Sequence, residues 1–147
     1  MKNSSKRKYR AIFANDGHEP IRTWEEFLVA GGYNASLGLF LDGKLIGYGQ
    51  LFKLYKKGLK AVHTCSVYLH EEYRNQGHGL PLYFELIRAA KKIGADRIYS
   101  DHRLNRYSRR MWSQKLPQHF QVVAPKGKPR CSKCRHCQRS SRFYINL

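Results

Sequence analysis

No run of apolar residues in this chain approaches the roughly 18 needed to span a bilayer, so no membrane partner is expected. Nor does the start carry the apolar stretch of a secretory signal, because the basic segment Met1 to Arg10 leads into Asn15-Asp16-Gly17-His18. Cysteine is scarce as well. There are four, three of them within seven residues near the C-terminal end, which is too few and too uneven for a disulfide framework. A reducing, cytoplasmic setting is expected. Acid is the fourth shortage: ten Asp or Glu stand against twenty-eight Lys or Arg in 147 residues, a formal charge of +18. What is present suffices for one core. Apolar residues make up 41% of the chain and aromatics 13%, and the length fits a single domain, so wholesale disorder is excluded.

The charge is concentrated. From Asp101 to Leu147 twelve Lys or Arg face Asp101 alone, a balance of +11. Like charges at this density repel one another, and a polyanion nearby relieves the repulsion. Nucleic acid or another polyanion is therefore an expected partner or substrate, with Arg103, Arg106, Arg109 and Arg110 among the contacts.

Residues 1–10 read as a basic N-terminal arm and 11–147 as one domain with a Cys-rich loop at 125–141. Thr23-Trp24-Glu25-Glu26 carries a capping-box pattern and Gly31-Gly32 a stop, which predicts a short helix over 24–30. Two apolar runs, 37–41 and 45–52, flank Asp42-Gly43 and predict a β-hairpin; 61–69 predicts a third antiparallel strand. Beyond Gly79 the period becomes about 3.6, with Leu82, Leu86, Ala90 and Ile93 on one face up to Gly94. A short strand at 97–100, a helix from Asn105 to about Lys115, and two closing strands at 120–123 and 143–147 complete the expected order. The fold class is α/β in the α+β sense, a mixed, mostly antiparallel sheet flanked by helices.

Arg74-Asn75-Gln76-Gly77-His78-Gly79 lies between a strand and a helix. Spaced glycines let backbone approach a bulky ligand, and the amides of a helix N-terminus attract an anion with the dipole behind them. In this context the segment resembles the acetyl-CoA pyrophosphate loop of the GNAT superfamily of N-acetyltransferases, and the element order from about Ala35 to Leu147 is similar to that family's. The resemblance implies an acyl-CoA-dependent transferase acting on an amine. It implies that backbone groups of Val67 and Leu69 hold the pantetheine arm. Amides from Gln76 to Leu80, spanning Gly77, His78 and Gly79, hold the pyrophosphate, with Arg74 and Asn75 beside them. Asn105 and Ser108 match the opening of the helix on the other side of the arm.

The chain departs from the family pattern where a tyrosine general acid is expected, since Met111-Trp112 stand there; an indole cannot donate a proton as a phenol does. Tyr107 is the nearest phenol. The resemblance implies a base on the strand before the loop, where counting back reaches His63; a strand histidine satisfied by a neighbour is the other reading, and His70, Glu71 and Glu72 are weaker candidates. Cys131, Cys134 and Cys137 have the spacing to place three thiolates on one zinc or iron ion, with His102, His119, His136 or Cys65 as a fourth ligand; free thiols on a basic loop are the other reading. Three functions stay open at this point. They are acyl transfer to an amine on nucleic acid or a nucleic-acid-associated protein, adenine modification in DNA as in the similar phage Mom-type transferases, and a non-catalytic nucleic-acid-binding module.

Overall fold

A computed structural model describes residues 8–16, 18–31, 34–101, 103–125 and 142–147. The chain runs β1 (Tyr9–Ala14), α1 (Trp24–Ala30), β2 (Ser36–Leu41), β3 (Lys44–Lys56), β4 (Leu59–Leu69), α2 (Gly79–Lys92), β5 (Arg97–Tyr99), α3 (Arg106–Arg110), β6 (Val122–Val123) and β7 (Tyr144–Asn146). One seven-stranded sheet results, in the order β1-β2-β3-β4-β5-β7-β6. All neighbours are antiparallel except β4 and β5. The expected mixed, mostly antiparallel sheet with flanking helices is what the chain forms. Among the described residues no helix is long and apolar enough to cross a membrane.

Local chemistry explains most of these elements. The Thr23 side chain accepts the Glu26 amide at the start of α1, and Gly31, at φ 56, ends the helix by donating its N–H to the Phe27 carbonyl. Asp42 and Gly43 both have positive φ, 50 and 84, the geometry a two-residue hairpin turn requires. β1 was not foreseen. Tyr9 and Arg10, read as the end of the basic arm, are its first residues and pair with Leu41 and Phe40. The helix expected from Asn105 to Lys115 is regular only to Arg110; it then widens into a π-helical turn (Met111–Lys115) followed by a 3-10 turn containing Pro117.

The core lies between one face of the sheet and α2. Leu37, Leu39, Leu51, Val62 and Ile98 point from the strands toward Leu82, Leu86 and Ala90 of the helix, all at most 1% exposed. The helix packs close: a Cβ placed on Gly49 would sit 2.9 Å from Leu86 Cδ1. Gly49 thus seats α2 on β3, and the helix N-terminus comes to the end of β4.

Candidate active site

β4 changes character halfway along. Up to His63 it is bonded on both edges, to β3 and, through Ala61, Val62 and His63, to β5. Beyond His63 the pairing with β5 stops while that with β3 continues to Leu69. The register against β3 also slips by one between Tyr48 and Gln50, and Ser66 takes a left-handed φ of 51 at the slip. A bulge of this kind bends a strand and increases its twist. β4 and β5 therefore diverge, and the cleft between them is closed on its far side by α3.

Two connected chambers make up the cleft. The outer, about 280 Å³, is lined by Val67, Tyr68, Leu69, Arg74 and Gly79 on one side, and on the other by Asn105, Tyr107, Ser108 and Met111, with Leu82 and Tyr83 at its base. The inner, about 170 Å³, runs back along Thr64, Cys65 and Ser66 to Asp101, Arg103 and Leu104. Val67, Tyr83, Asn105 and Ser108 border both.

The loop at the outer mouth is held by its own side chains. Arg74 Nε donates to the Leu69 carbonyl at 2.9 Å and its guanidinium lies 4.9 Å from the Tyr68 ring centre. Asn75 and Gly77 take positive φ, 61 and 84. Gln76 Nε2 donates to the Glu72 carbonyl. The His78 side chain is buried and its Nδ1 shares a 2.7 Å hydrogen bond with the Tyr9 hydroxyl, so β1 anchors the loop from 69 residues away. α2 then starts at Gly79, and the first amides of a helix have no acceptor within it. Gly79, the first of them, lines the outer chamber.

Of the expected site residues, the structure brings Val67, Leu69, Arg74, Gly79, Asn105, Tyr107 and Ser108 together around the outer chamber. Asn105 is committed to capping: its Oδ1 accepts the Ser108 amide at 2.8 Å and the Ser108 hydroxyl at 3.0 Å. The Tyr107 hydroxyl donates to Asn75 Oδ1 at 3.4 Å, at the loop end of the cleft. His63 lies outside both chambers, with its ring 5.6 Å from that of Phe52 and Nδ1 3.1 Å from the Thr64 carbonyl. Glu71 and Glu72 sit exposed in a 3-10 turn before the loop. Cys131, Cys134, Cys137, His102 and His136 fall outside the described residues; among those described, no cluster of His, Cys, Asp or Glu forms a metal site.

Trp112 and Tyr83 clarify the missing phenol. Trp112 is fully buried, stacked near Phe143, with its indole Nε1 lacking a hydrogen-bond partner, so it serves the core and does not reach the cleft. Tyr83 meets it edge-on at 6.2 Å and is the phenol that borders both chambers. Burial, then the charge of Asp101, raise the Tyr83 pKa above its ordinary value. The indole N–H opposes this weakly, approaching without the geometry of a full hydrogen bond. Tyr83 is thus a neutral phenol at physiological pH, and sequence reasoning did not single it out.

Comparison with known proteins follows the same lines. The profile of the acetyltransferase (GNAT) family matches residues 3–116. No curated protein matches. Among solved structures, N-acetylglutamate synthase from Neisseria gonorrhoeae complexed with coenzyme A and L-arginine has a TM-score of 0.55 at 13% identity, over 97% of this chain and 34% of that one. The same protein complexed with coenzyme A and N-acetyl-glutamate scores 0.50 at 15% identity, over 76% and 25%. Ribosomal-protein-alanine N-acetyltransferase from Brucella melitensis biovar Abortus 2308 is 24% identical with a TM-score of 0.47, over 54% and 59%. The chain thus spans between 25% and 59% of the length of these three structures, and its likeness to the two synthase structures is one of fold.

Proposed function

The chain belongs to the GNAT acetyltransferase family, and from that premise we propose that it transfers an acyl group from a coenzyme A thioester to an amine. The observation that carries this is the divergence of β4 from β5 beyond His63, which leaves backbone groups of β4 facing a cleft that ends at the N-terminus of α2. A pantetheine arm has amide groups to pair with such an edge, and a pyrophosphate suits the amides at Gly77 to Leu80. The bound thioester would supply the activated acyl group. The chain's part is to hold it. Val67 and Leu69 would pair with the arm, Asn105 and Ser108 would wall its other side, and the cleft would exclude water and bring the acceptor nitrogen to the carbonyl carbon.

In the overall exchange an ammonium acceptor first gives one proton to solvent, the freed amine forms the C–N bond, the C–S bond breaks, and a second proton passes from nitrogen to the departing thiolate. Tyr83, protonated and bordering both chambers, is positioned to give a proton to the sulfur and regain one from the amine through water. Tyr107 is bonded at the loop end instead, which makes it a ligand of the cofactor side.

For the acceptor, the charge of +18 and the exposed Arg103, Arg106, Arg109 and Arg110 beside the cleft favour an amine on nucleic acid or on a nucleic-acid-bound protein. Mass spectrometry of DNA, RNA and protein from cells with and without the chain tests the reading. An acyl mark on one polymer, lost in Gly77→Glu, is expected. A modified adenine without an acyl group would replace acylation with the Mom-type chemistry. Tight acetyl-CoA binding with no product on any acceptor would replace it with a non-catalytic binding module.

A further inference from the structure

The sheet face turned away from α2 carries a pattern of which acyl transfer uses only Tyr68, at the edge of the outer chamber. Cross-strand neighbours share a face, so the register defines rows. One row runs Ile12, Gly38, Tyr48, Tyr68 across β1 to β4. Another runs Phe52, His63, Tyr99, Tyr144 across β3, β4, β5 and β7. They are four residues apart along β3, roughly 13 Å at strand spacing. Rings touch within each row: Tyr48 and Tyr68 at 5.3 Å, Phe52 and His63 at 5.6 Å, Tyr99 and Tyr144 at 5.2 Å.

Two properties distinguish this face from a core half awaiting a cover. Tyr48 is 40% exposed, Tyr68 38% and Ile12 39%, while Tyr144 and Phe52 are half-buried. And no strand of the sheet contains an Asp or Glu, whereas Lys56 and Arg97 lie against the rings and the exposed Arg10 sits at the β1 end of the face, opposite Phe40. Arg97 lies 4.2 Å from the Tyr144 ring centre and Lys56 5.4 Å from that of Tyr99. A second copy of so basic a chain would be repelled. Rings interleaved with cations on an acid-free sheet match a strand of unpaired bases joined by phosphates.

We infer that this face binds single-stranded nucleic acid, with bases stacked on Tyr48 and Tyr144 and phosphates neutralised by Arg10, Lys56 and Arg97. A duplex hides its base faces, so the rings select the single strand. The inference rests on the polyanion part of the reading above and is independent of whether acyl transfer occurs.

Fluorescence anisotropy with a labelled oligothymidylate, and with a duplex of equal length, tests it in the full chain. The single strand should bind more tightly, and Tyr48→Ala should weaken it by about five- to a hundredfold, the range for loss of one stacked base. Tyr48→Phe should bind as wild type, which separates stacking from a folding defect. Arg97→Gln should reduce the magnitude of the log-affinity against log-salt slope by about 0.7. Equal affinity for duplex and single strand, or Tyr48→Ala binding as wild type, would overturn the assignment and, where Arg109→Ala alone weakens binding, return the polyanion to the rim of the cleft. Self-association abolished by Tyr48→Ala would overturn it in favour of a second copy, and no binding at low salt would remove the polyanion altogether.

Discussion

The two halves of β4 are one strand with two tasks. From Ala61 to His63 it is bonded on both edges, and Val62 is completely buried against Ile98 of β5. From Thr64 to Leu69 it is bonded to β3 alone and offers its other edge to the cleft. The closed half has its backbone groups satisfied within the sheet and contributes to stability. The open half has no strand beside its second edge among the described residues; Arg74 takes the Leu69 carbonyl, and binding requires the rest of that edge to stay available. The end of the β5 pairing after His63 divides the two, with the bulge at Ser66 inside the open half, so substitutions on either side should separate stability from affinity.

The largest effect is expected in the closed half. Ile98 is fully buried between Val62 and Ile145. Ile98→Ala should cost about 3 kcal/mol of unfolding free energy through lost transfer and a residual cavity, read by denaturant titration. Acetyl-CoA affinity of the folded protein should change little. A loss of affinity matching the loss of stability would show that the halves are not separable.

Beside the open half, Gly77→Glu should do the reverse. At φ 84 a side chain is strained, and a carboxylate there would face the pyrophosphate. Calorimetry should show acetyl-CoA affinity reduced by at least about a hundredfold, the effect of losing roughly 2.7 kcal/mol, with the variant still folded. Wild-type affinity in such a variant would remove the loop from the binding site.

Sequence made the local parts of this arrangement legible. The Asp42-Gly43 turn, the capping box at Thr23 and the 3.6-residue period of α2 each act within a few residues, and the loop from Arg74 to Gly79 carries its own glycine spacing. Non-local parts were not legible. Tyr9 and Arg10 read as the end of a basic arm and 11–14 as no strand, although Tyr9, Ala11 and Phe13 alternate toward the core once β2 is beside them. The divergence beyond His63 and the bulge at Ser66 depend on a partner ending at Tyr99 and on register with β3, neither of which has a signature in 61–69. Tyr83 left a faint signal: it is one helical turn past Gly79, on the side of α2 that meets the cleft. His63 was placed by counting along a strand, but the count does not show that its side chain lies outside the cleft lining.

Tyr83 gives the comparison a pH axis. Its pKa is raised from 10.0, chiefly by burial and then by Asp101. A group whose folded pKa is raised contributes stability that is fully present below the unfolded value and is lost as pH rises toward the folded one. The loss is at most about 1.4 kcal/mol per pH unit for one proton. Above about pH 10, wild type should therefore lose stability faster than Tyr83→Phe. Parallel losses in the two proteins would mean that the phenol is not shielded as the structure has it. At neutral pH, a kcat lowered in Tyr83→Phe with KM for acetyl-CoA unchanged would place the hydroxyl in proton transfer.

The smallest effect is expected at the bulge inside the open half. Ser66 holds φ 51, a conformation that costs an L-residue about 1–2 kcal/mol, whereas glycine adopts it freely but loses more chain entropy on folding, about 0.5–1 kcal/mol. The difference predicts that Ser66→Gly raises stability by up to about 1 kcal/mol on the same grounds. The substitution also removes the Ser66 hydroxyl, 3.6 Å from Cys65 Sγ, a weak contact that should hardly register. Because the bulge geometry is retained, β4 should still part from β5 at the same residue, and acetyl-CoA affinity should match wild type. Destabilisation by Ser66→Gly would mean that the serine side chain actively holds the bulge, and that the opening of β4 is set at Ser66 and not by the end of β5.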